Sequence, residues 1–280
     1  MAPSPQTLLA HSPLNDGGLN ANNDASIPPP SSSAPNGNLK LLDLFSGIGG
    51  FSYAAEQIVG GFTTVQFVER NLYCQQILQK HWPQVPIHND ICTFVPELGS
   101  ADVICGGFPC QDISTAGKQA GIKQGTRSGL FYELIRVVRL VRPQFVVLEN
   151  VAAILANGLD TVLGELAQAR FDAEWACIPA SAVGACHQRD RWWLVAYAND
   201  KRQPEQQSPT ITSRAGRIGW SDAPRRLNPN WQGYVSKPVL CRGDDGLSSR
   251  LDRLKALGNA VVPQVATIPL LRVKELANVR

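Results

Sequence analysis

Leu41-Leu42-Asp43-Leu44-Phe45-Ser46-Gly47-Ile48-Gly49-Gly50 is a short apolar run entering a glycine-rich turn, with a helical pattern behind it from about Gly50 to Val59. Four apolar positions around one acid suit a strand covered on both faces, and the glycines allow a turn that brings backbone N–H groups close to a ligand. The same alternation continues along the chain. Thr64 to Glu69 reads as a strand, and a helix follows that Pro83 stops. Asp102-Val103-Ile104-Cys105 and Phe145-Val146-Val147-Leu148 are further continuous apolar runs, and between them Leu130, Leu134, Val137, Val138 and Val141 recur at helical spacing up to Pro143. A helix near Asp160 to Arg170 and two strand-like runs, Glu174 to Ile178 and Trp192 to Tyr197, complete the pattern. Strands alternating with helices predict an α/β fold with a doubly wound, Rossmann-like sheet.

The chain has 280 residues, enough for one large domain and a smaller part. Residues 1–38 are Pro, Ser, Asn, Gly and Ala with hardly a charge or an aromatic, a composition that predicts a disordered tail. Residues 39–197 carry the alternating pattern. Residues 198–253 are rich in Gly, Pro, Asn, Ser and Arg, with Trp220, Trp231 and Tyr234 interleaved, and predict a small irregular second domain. Residues 254–280 are patterned again and are expected to return to the sheet.

Hydrophobic residues make up 44% of the chain, and by this reading no run approaches the ~18 apolar residues of a membrane span. The N-terminus lacks the features of a secretory signal, and a cytoplasmic location is expected. Seven cysteines at 74, 92, 105, 110, 177, 186 and 241 form no C-x-x-C pair, which argues against disulfide frameworks and zinc sites, so no metal is expected. The formal charge of +3 is concentrated in residues 199–250, where nine Lys and Arg stand against five Asp and Glu. That balance suits a nucleic-acid-reading unit and equally suits a solvated loop.

Five motifs carry chemical meaning. In the first, the glycine turn, Glu69 ends the next strand 20 residues after Gly49, where an adenosine ribose would meet a carboxylate. Asp90, ending the strand in His88-Asn89-Asp90, adds an acid on the same sheet edge. A tight turn without a ligand is the bland reading of the glycines. The second is Cys105-Gly106-Gly107-Phe108-Pro109-Cys110-Gln111, which places Cys110 in a Gly- and Pro-rich turn at a strand end, as a nucleophile requires. Cys74, Cys92, Cys105 and Cys177 read as small buried hydrophobes. The third is Glu149-Asn150-Val151, directly after an apolar strand, where a carboxyl of raised pKa could share a proton with a substrate nitrogen; a helix-capping acid is the alternative. The fourth, His187-Gln188-Arg189-Asp190-Arg191, puts two arginines on one face of an extended segment, suited to a carboxylate, phosphate or base edge, or else to a surface ion pair with Asp190. The fifth, Gly258-Asn259-Ala260-Val261-Val262-Pro263, is by itself only a turn.

In order, these motifs resemble those of the DNA (cytosine-5-)-methyltransferase family, prokaryotic or phage type, over residues 40–197 and 250–275. Asp43 to Gly50 is similar to the family's F-x-G-x-G cofactor turn, Pro109-Cys110-Gln111 to its nucleophile signature and Glu149-Asn150-Val151 to its E-N-V. Arg189 and Arg191 match Q-x-R-x-R, with His187 where the family has glutamine, and Gly258 to Pro263 resembles the closing G-N-x-V-x-P element. The family's R-x-L-T-x-x-E segment is absent from the sequence before that turn, and the region between Tyr197 and Leu254 is short for a recognition domain.

The resemblance implies S-adenosylmethionine as cofactor, bound by Phe45, Gly47, Ile48, Gly49, Glu69, Asp90, Ile91, Pro109 and Asn259. It implies methylation at C5 of a flipped cytosine in double-stranded DNA through a covalent Cys110 adduct at C6, with Glu149 protonating N3 and Arg189 and Arg191 completing the catalytic set. Gln111 to Arg127, with Gly117, Gly121 and Gly125, resembles the family's closing loop, and Lys118, Lys123 and Arg127 could meet phosphates there; a surface linker is the alternative. Pairing with a restriction endonuclease also belongs to this picture. Neither the target sequence nor the oligomeric state is written in these residues. A dinucleotide oxidoreductase would share only the glycine turn and Glu69. A tRNA cytosine-5 methyltransferase of the same fold and a catalytically silent DNA-binding protein stay open as alternatives.

Overall fold

The computed structural model describes residues 37–109, 122, 129–199 and 250–279. The expected tail up to residue 36, the loop that includes Cys110, and residues 200–249 of the expected second domain lie outside the described residues.

The apolar runs form the centre of a seven-stranded sheet in the order β3-β2-β1-β4-β5-β7-β6. Its strands are β1 Leu39–Leu44, β2 Phe62–Val68, β3 Ile87–His88, β4 Val103–Gly107, β5 Phe145–Val151, β6 Phe171–Ile178 and β7 Arg191–Ala198. The first five run parallel, while β7 pairs antiparallel with both β5 and β6. The chain runs outward from β1 through β2 to β3, then returns to β4 on the other side of β1. That reversal opens a crevice at the carboxyl ends of β1 and β4, where doubly wound sheets bind ligands.

Alternation along the strands feeds two cores. Leu42, Leu44, Ile104, Val146 and Leu148 face helix α3 (Leu130–Val141) and helix α4 (Leu159–Gln168), meeting Phe131, Leu134, Val138, Val162 and Leu166. Leu41, Val103, Cys105, Phe145 and Val147 face the other way, onto Phe51, Ala54 and Ala55 and onto the C-terminal helix α6 (Pro263–Val279). Helix α3 ends where Arg142 takes a left-handed φ of 53° ahead of Pro143, the stop expected of a proline.

The helix anticipated over Gly50 to Val59 is a short α1 (Gly50–Tyr53) that widens into a π-helical turn, Ala54–Val59. Glu56 in this turn accepts from the Thr64 N–H at 2.7 Å and from Trp82 Nε1 at 2.8 Å, tying it to β2 and to the end of α2 (Leu72–His81). Helix α5 (Arg250–Asn259) precedes α6.

Three expectations are corrected by the fold. Glu149-Asn150-Val151 does not follow β5 but belongs to it, because the ladder with β7 continues through Val151↔Arg191. Cys92 and Cys177 are exposed, unlike Cys74 and Cys105, since one lies in the turn beyond β3 and the other on the edge strand β6. The stretch Lys255–Asn278 is long and apolar enough for a membrane crossing. It breaks between α5 and α6, however, and its apolar residues Val265, Ala266, Ile268, Leu270 and Val273 are buried in the core against the sheet.

Candidate active site

The turn after β1 is built around Asp43 and Glu69. The Ser46 hydroxyl donates to the Asp43 carbonyl at 2.6 Å, and the Ser52 hydroxyl donates to Asp43 Oδ2 at 2.8 Å, so both ends of the turn are fastened to one residue. Phe45, Gly47 and Gly49 all have positive φ, at 54°, 54° and 84°. Glycine is required most at 49, where a Cβ would stand 2.7 Å from the Trp82 ring. Glu69 straps the turn from the next strand: Oε2 accepts from Gly47 N–H at 2.8 Å and Oε1 from Asn71 N–H at 2.7 Å. A carboxylate has about four lone-pair sites, so lone pairs remain on Glu69 for a ligand hydroxyl.

Asp90 lies two residues beyond the end of β3 rather than at a strand end, because β3 stops at His88. Its Oδ1 accepts from Cys92 N–H at 2.9 Å, and this bond holds the carboxyl below its ordinary range. Ile91 next to it is buried.

At the end of β5, Glu149 Oε1 meets Arg191 Nε at 3.0 Å, with the side chains 13% and 24% exposed. The two belong to the adjacent strands β5 and β7 and are diagonal neighbours on one face, since Glu149 pairs with Trp193 and Arg191 pairs with Val151, two positions along. Burial pushes the Glu149 carboxyl above its usual value, and the positive fields of Arg191 and then Arg189, with the Arg191 hydrogen bond, oppose the rise. A carboxyl raised in this way keeps its proton more readily than an exposed one and can share it with a ligand nitrogen. Small residues make room for it, since a Cβ on Gly107 would lie 3.1 Å from Glu149 Oε2.

Phe45, Gly47, Glu69, Asp90, Ile91, Pro109, Glu149, Arg189, Arg191 and Asn259 line one cavity of about 820 Å3 at the sheet's carboxyl edge. Ile48 and Gly49 do not join it; they line a second, more apolar cavity of about 830 Å3 with Tyr53 and Trp82. The turn thus contributes to both cavities, Phe45 and Gly47 to the first and Ile48 and Gly49 to the second. Cys110 lies outside the described residues; Pro109, the residue before it, is in the first cavity.

Arg189 departs from the extended geometry expected of it. Its φ is 43°, and its guanidinium donates to the carbonyls of Gly258 and Ala260, while Arg191 alone ion-pairs with Glu149. Asn150 is a site residue to which sequence reasoning gave no role. Its Nδ2 donates to the Phe108 carbonyl at 3.1 Å and its Oδ1 accepts from Val151 N–H at 2.8 Å, so it fixes the backbone two residues before Cys110. The signal was its place in the third motif, beside Glu149. Among the described residues no cluster of three or more His, Cys, Asp or Glu forms a metal site.

Residues 39–223 match the family model described as C-5 cytosine-specific DNA methylase. The chain is 32% identical over 191 residues to the type II methyltransferase M.CviJI of Paramecium bursaria Chlorella virus IL3A, covering 66% of this chain and 49% of that protein. It is 30% identical over 235 residues to the type II methyltransferase M2.BsuMI of Bacillus subtilis (strain 168), covering 75% and 58%. It is 27% identical over 221 residues to the type II methyltransferase M.MspI of Moraxella sp, covering 77% and 52%. The chain spans about half the length of the curated relatives it matches. With a doubly wound sheet, a glycine turn strapped by Glu69, and a Glu149–Arg191 pair in one cavity, the chain belongs to the C-5 cytosine-specific DNA methylase family.

Proposed function

We propose that this chain transfers a methyl group from S-adenosylmethionine to C5 of a cytosine in double-stranded DNA. The observation that carries the reading is the partly buried Glu149–Arg191 pair in the same cavity as Phe45, Glu69 and Pro109. At about 820 Å3 the cavity has the size of sites that enclose a small organic ligand. Its chemistry fits the donor: Phe45 and Ile91 offer apolar surface to an adenine, Glu69 keeps lone pairs for ribose hydroxyls, and Asp90 and Asn259 add polar partners. S-adenosylmethionine supplies an electrophilic methyl group there.

The chain's own residues activate the acceptor. C5 of cytosine is a poor nucleophile while the ring is aromatic. The Cys110 thiolate adds to C6, forming an S–C6 bond as the C5–C6 π pair shifts to C4–C5 and the C4–N3 π pair moves onto N3. Glu149 delivers its proton to N3 and holds the resulting N–H, and Arg191 fixes the Glu149 carboxyl and faces the O2 edge. C5 then takes up the methyl group as the donor's S–CH3 bond breaks, the bond pair staying on a sulfur that leaves as the neutral thioether. Loss of the C5 proton to a base returns an electron pair to the C5–C6 bond and expels Cys110 as thiolate, and N3 gives its proton back to Glu149. A stacked base shields its ring faces from such an attack, so the cytosine must leave the duplex. The basic residues between 199 and 250 would meet its phosphates. A cytoplasmic location and a partnership with a restriction endonuclease fit such an enzyme.

The test is transfer of labelled methyl to duplex DNA of mixed sequence, and in parallel to tRNA, by the natural chain and by Cys110→Ser. Label recovered as C5-methylcytosine only with Cys110 intact is the expected result. Equal labelling by the Cys110→Ser variant, or labelling of tRNA and not DNA, would overturn the reading.

A further inference from the structure

The two arginines of the fourth motif have different surroundings. Arg191 faces Glu149. Arg189 instead reaches across to the junction of α5 and α6, where Nη1 donates to the Gly258 carbonyl at 3.0 Å and Nη2 donates to Gly258 at 3.1 Å and to Ala260 at 2.8 Å. These carbonyls belong to the residues on either side of Asn259. They lie at the C-terminal end of α5, where carbonyls lack helical partners and a cation is favoured. A planar guanidinium can span both at once, which the single ammonium of a lysine does less well. Asn259 itself is exposed and lines the cavity with Glu69, Pro109 and Glu149.

We infer that Arg189 is a positioning residue that clamps the backbone around Asn259, holding that side chain against the bound methyl donor and joining the C-terminal helices to the catalytic strand. The inference rests on the proposed function above and assigns Arg189 a role away from the base and the phosphates. Its left-handed backbone, φ 43°, is the conformation from which the side chain reaches these carbonyls. The clamp also keeps the Arg189 charge near Glu149, whose carboxyl feels it.

The test is equilibrium binding of S-adenosylmethionine, by calorimetry on the full chain, to the natural protein, Arg189→Ala, Arg189→Lys, Asn259→Ala and the double variant Arg189→Ala/Asn259→Ala. DNA binding is measured beside it as a function of salt. Loss of a charge-assisted clamp is expected to weaken donor binding about tenfold in Arg189→Ala, with partial recovery in Arg189→Lys. The double variant is expected to bind no more weakly than Asn259→Ala, because one residue acts through the other. The salt dependence of DNA binding is expected to stay unchanged. Natural donor affinity in Arg189→Ala would overturn the clamp while leaving the proposed function intact. So would fully additive losses in the double variant, or a salt slope reduced by about one, which marks a phosphate contact. Failure of the natural chain itself to bind the donor would overturn both readings.

Discussion

Asp43 offers a sharp test of how the glycine turn is built, because it is fully buried beneath that turn and carries an ionisable group. Its Oδ2 accepts from Ser52, while Oδ1 has no hydrogen-bond partner among the described residues. Burial pushes the carboxyl from 3.8 up to about 8; the Ser52 hydrogen bonds oppose this, and the charges of Glu69 and Glu56 add to it. Between those two values the folded protein keeps a proton that the unfolded chain has released. There is no penalty below pH 3.8. Stability then falls as pH rises, by about 1.4 kcal/mol per unit, and levels off above pH 8. Asp43→Asn keeps an acceptor for Ser52 and never ionises. Its amide N–H group, unpaired where Oδ1 stood, costs about 1–3 kcal/mol, but equally at every pH. The expected outcome is a difference in unfolding free energy between variant and natural chain that moves by about 3–4 kcal/mol in the variant's favour from pH 5 to pH 8. Denaturant unfolding followed by tryptophan fluorescence measures it, and Glu149 and the other titrating groups cancel because both proteins carry them. Parallel curves over that range would refute the reasoning, since they would mean that Asp43 ionises alike in the folded and unfolded chain.

Two further substitutions probe the frame. Gly49→Ala forces a side chain onto a φ of 84° and within 2.7 Å of Trp82, so thermal unfolding is expected to show a loss of about 2 kcal/mol or more, with weakened donor binding. Natural stability in that variant would mean that the Trp82 ring yields freely. Arg272 donates to buried Glu174 at 2.6 Å, joining α6 to β6; Arg272→Met is expected to cost about 2 kcal/mol or more by stranding that carboxylate. Glu174→Gln in the same background should restore most of the loss in denaturant unfolding, and no restoration would mean that packing rather than charge was lost.

Much of the sheet is legible in the sequence because parallel central strands must be apolar on both faces. Leu41 to Leu44, Val103 to Cys105 and Phe145 to Leu148 carry that mark plainly. The misreadings fall where tertiary contact overrides local character. Glu149 and Asn150 look like a loop by polarity, yet β7 holds them extended, and that pairing is set by Trp193 and Trp192, far along the chain. Arg189 reads as strand by its neighbours, while its conformation is decided by carbonyls near residue 259. The cavity residues Phe45, Glu69, Pro109 and Glu149 are legible because each ends a parallel strand or follows one closely, and parallel strands end on one edge. Ile48 and Gly49 share the motif with Gly47 but line the neighbouring cavity, because the chain reverses direction across the left-handed positions Gly47 and Gly49. No sequence pattern conveys that reversal.

The sheet also fixes both ends of the basic segment. Asn199 is held by the Arg170 carbonyl and Asp172, and beyond residue 250 the chain is anchored by α6 in the core and by Arg189. For chain joining two anchored points, closure entropy grows only with the logarithm of its length, so doubling the segment costs the frame about 0.6 kcal/mol. That is less than one buried methylene. For a flexible connection between these points the sheet is thus thermodynamically almost indifferent to length, and insertions there are expected to leave the strand ends and the cavity they line in place.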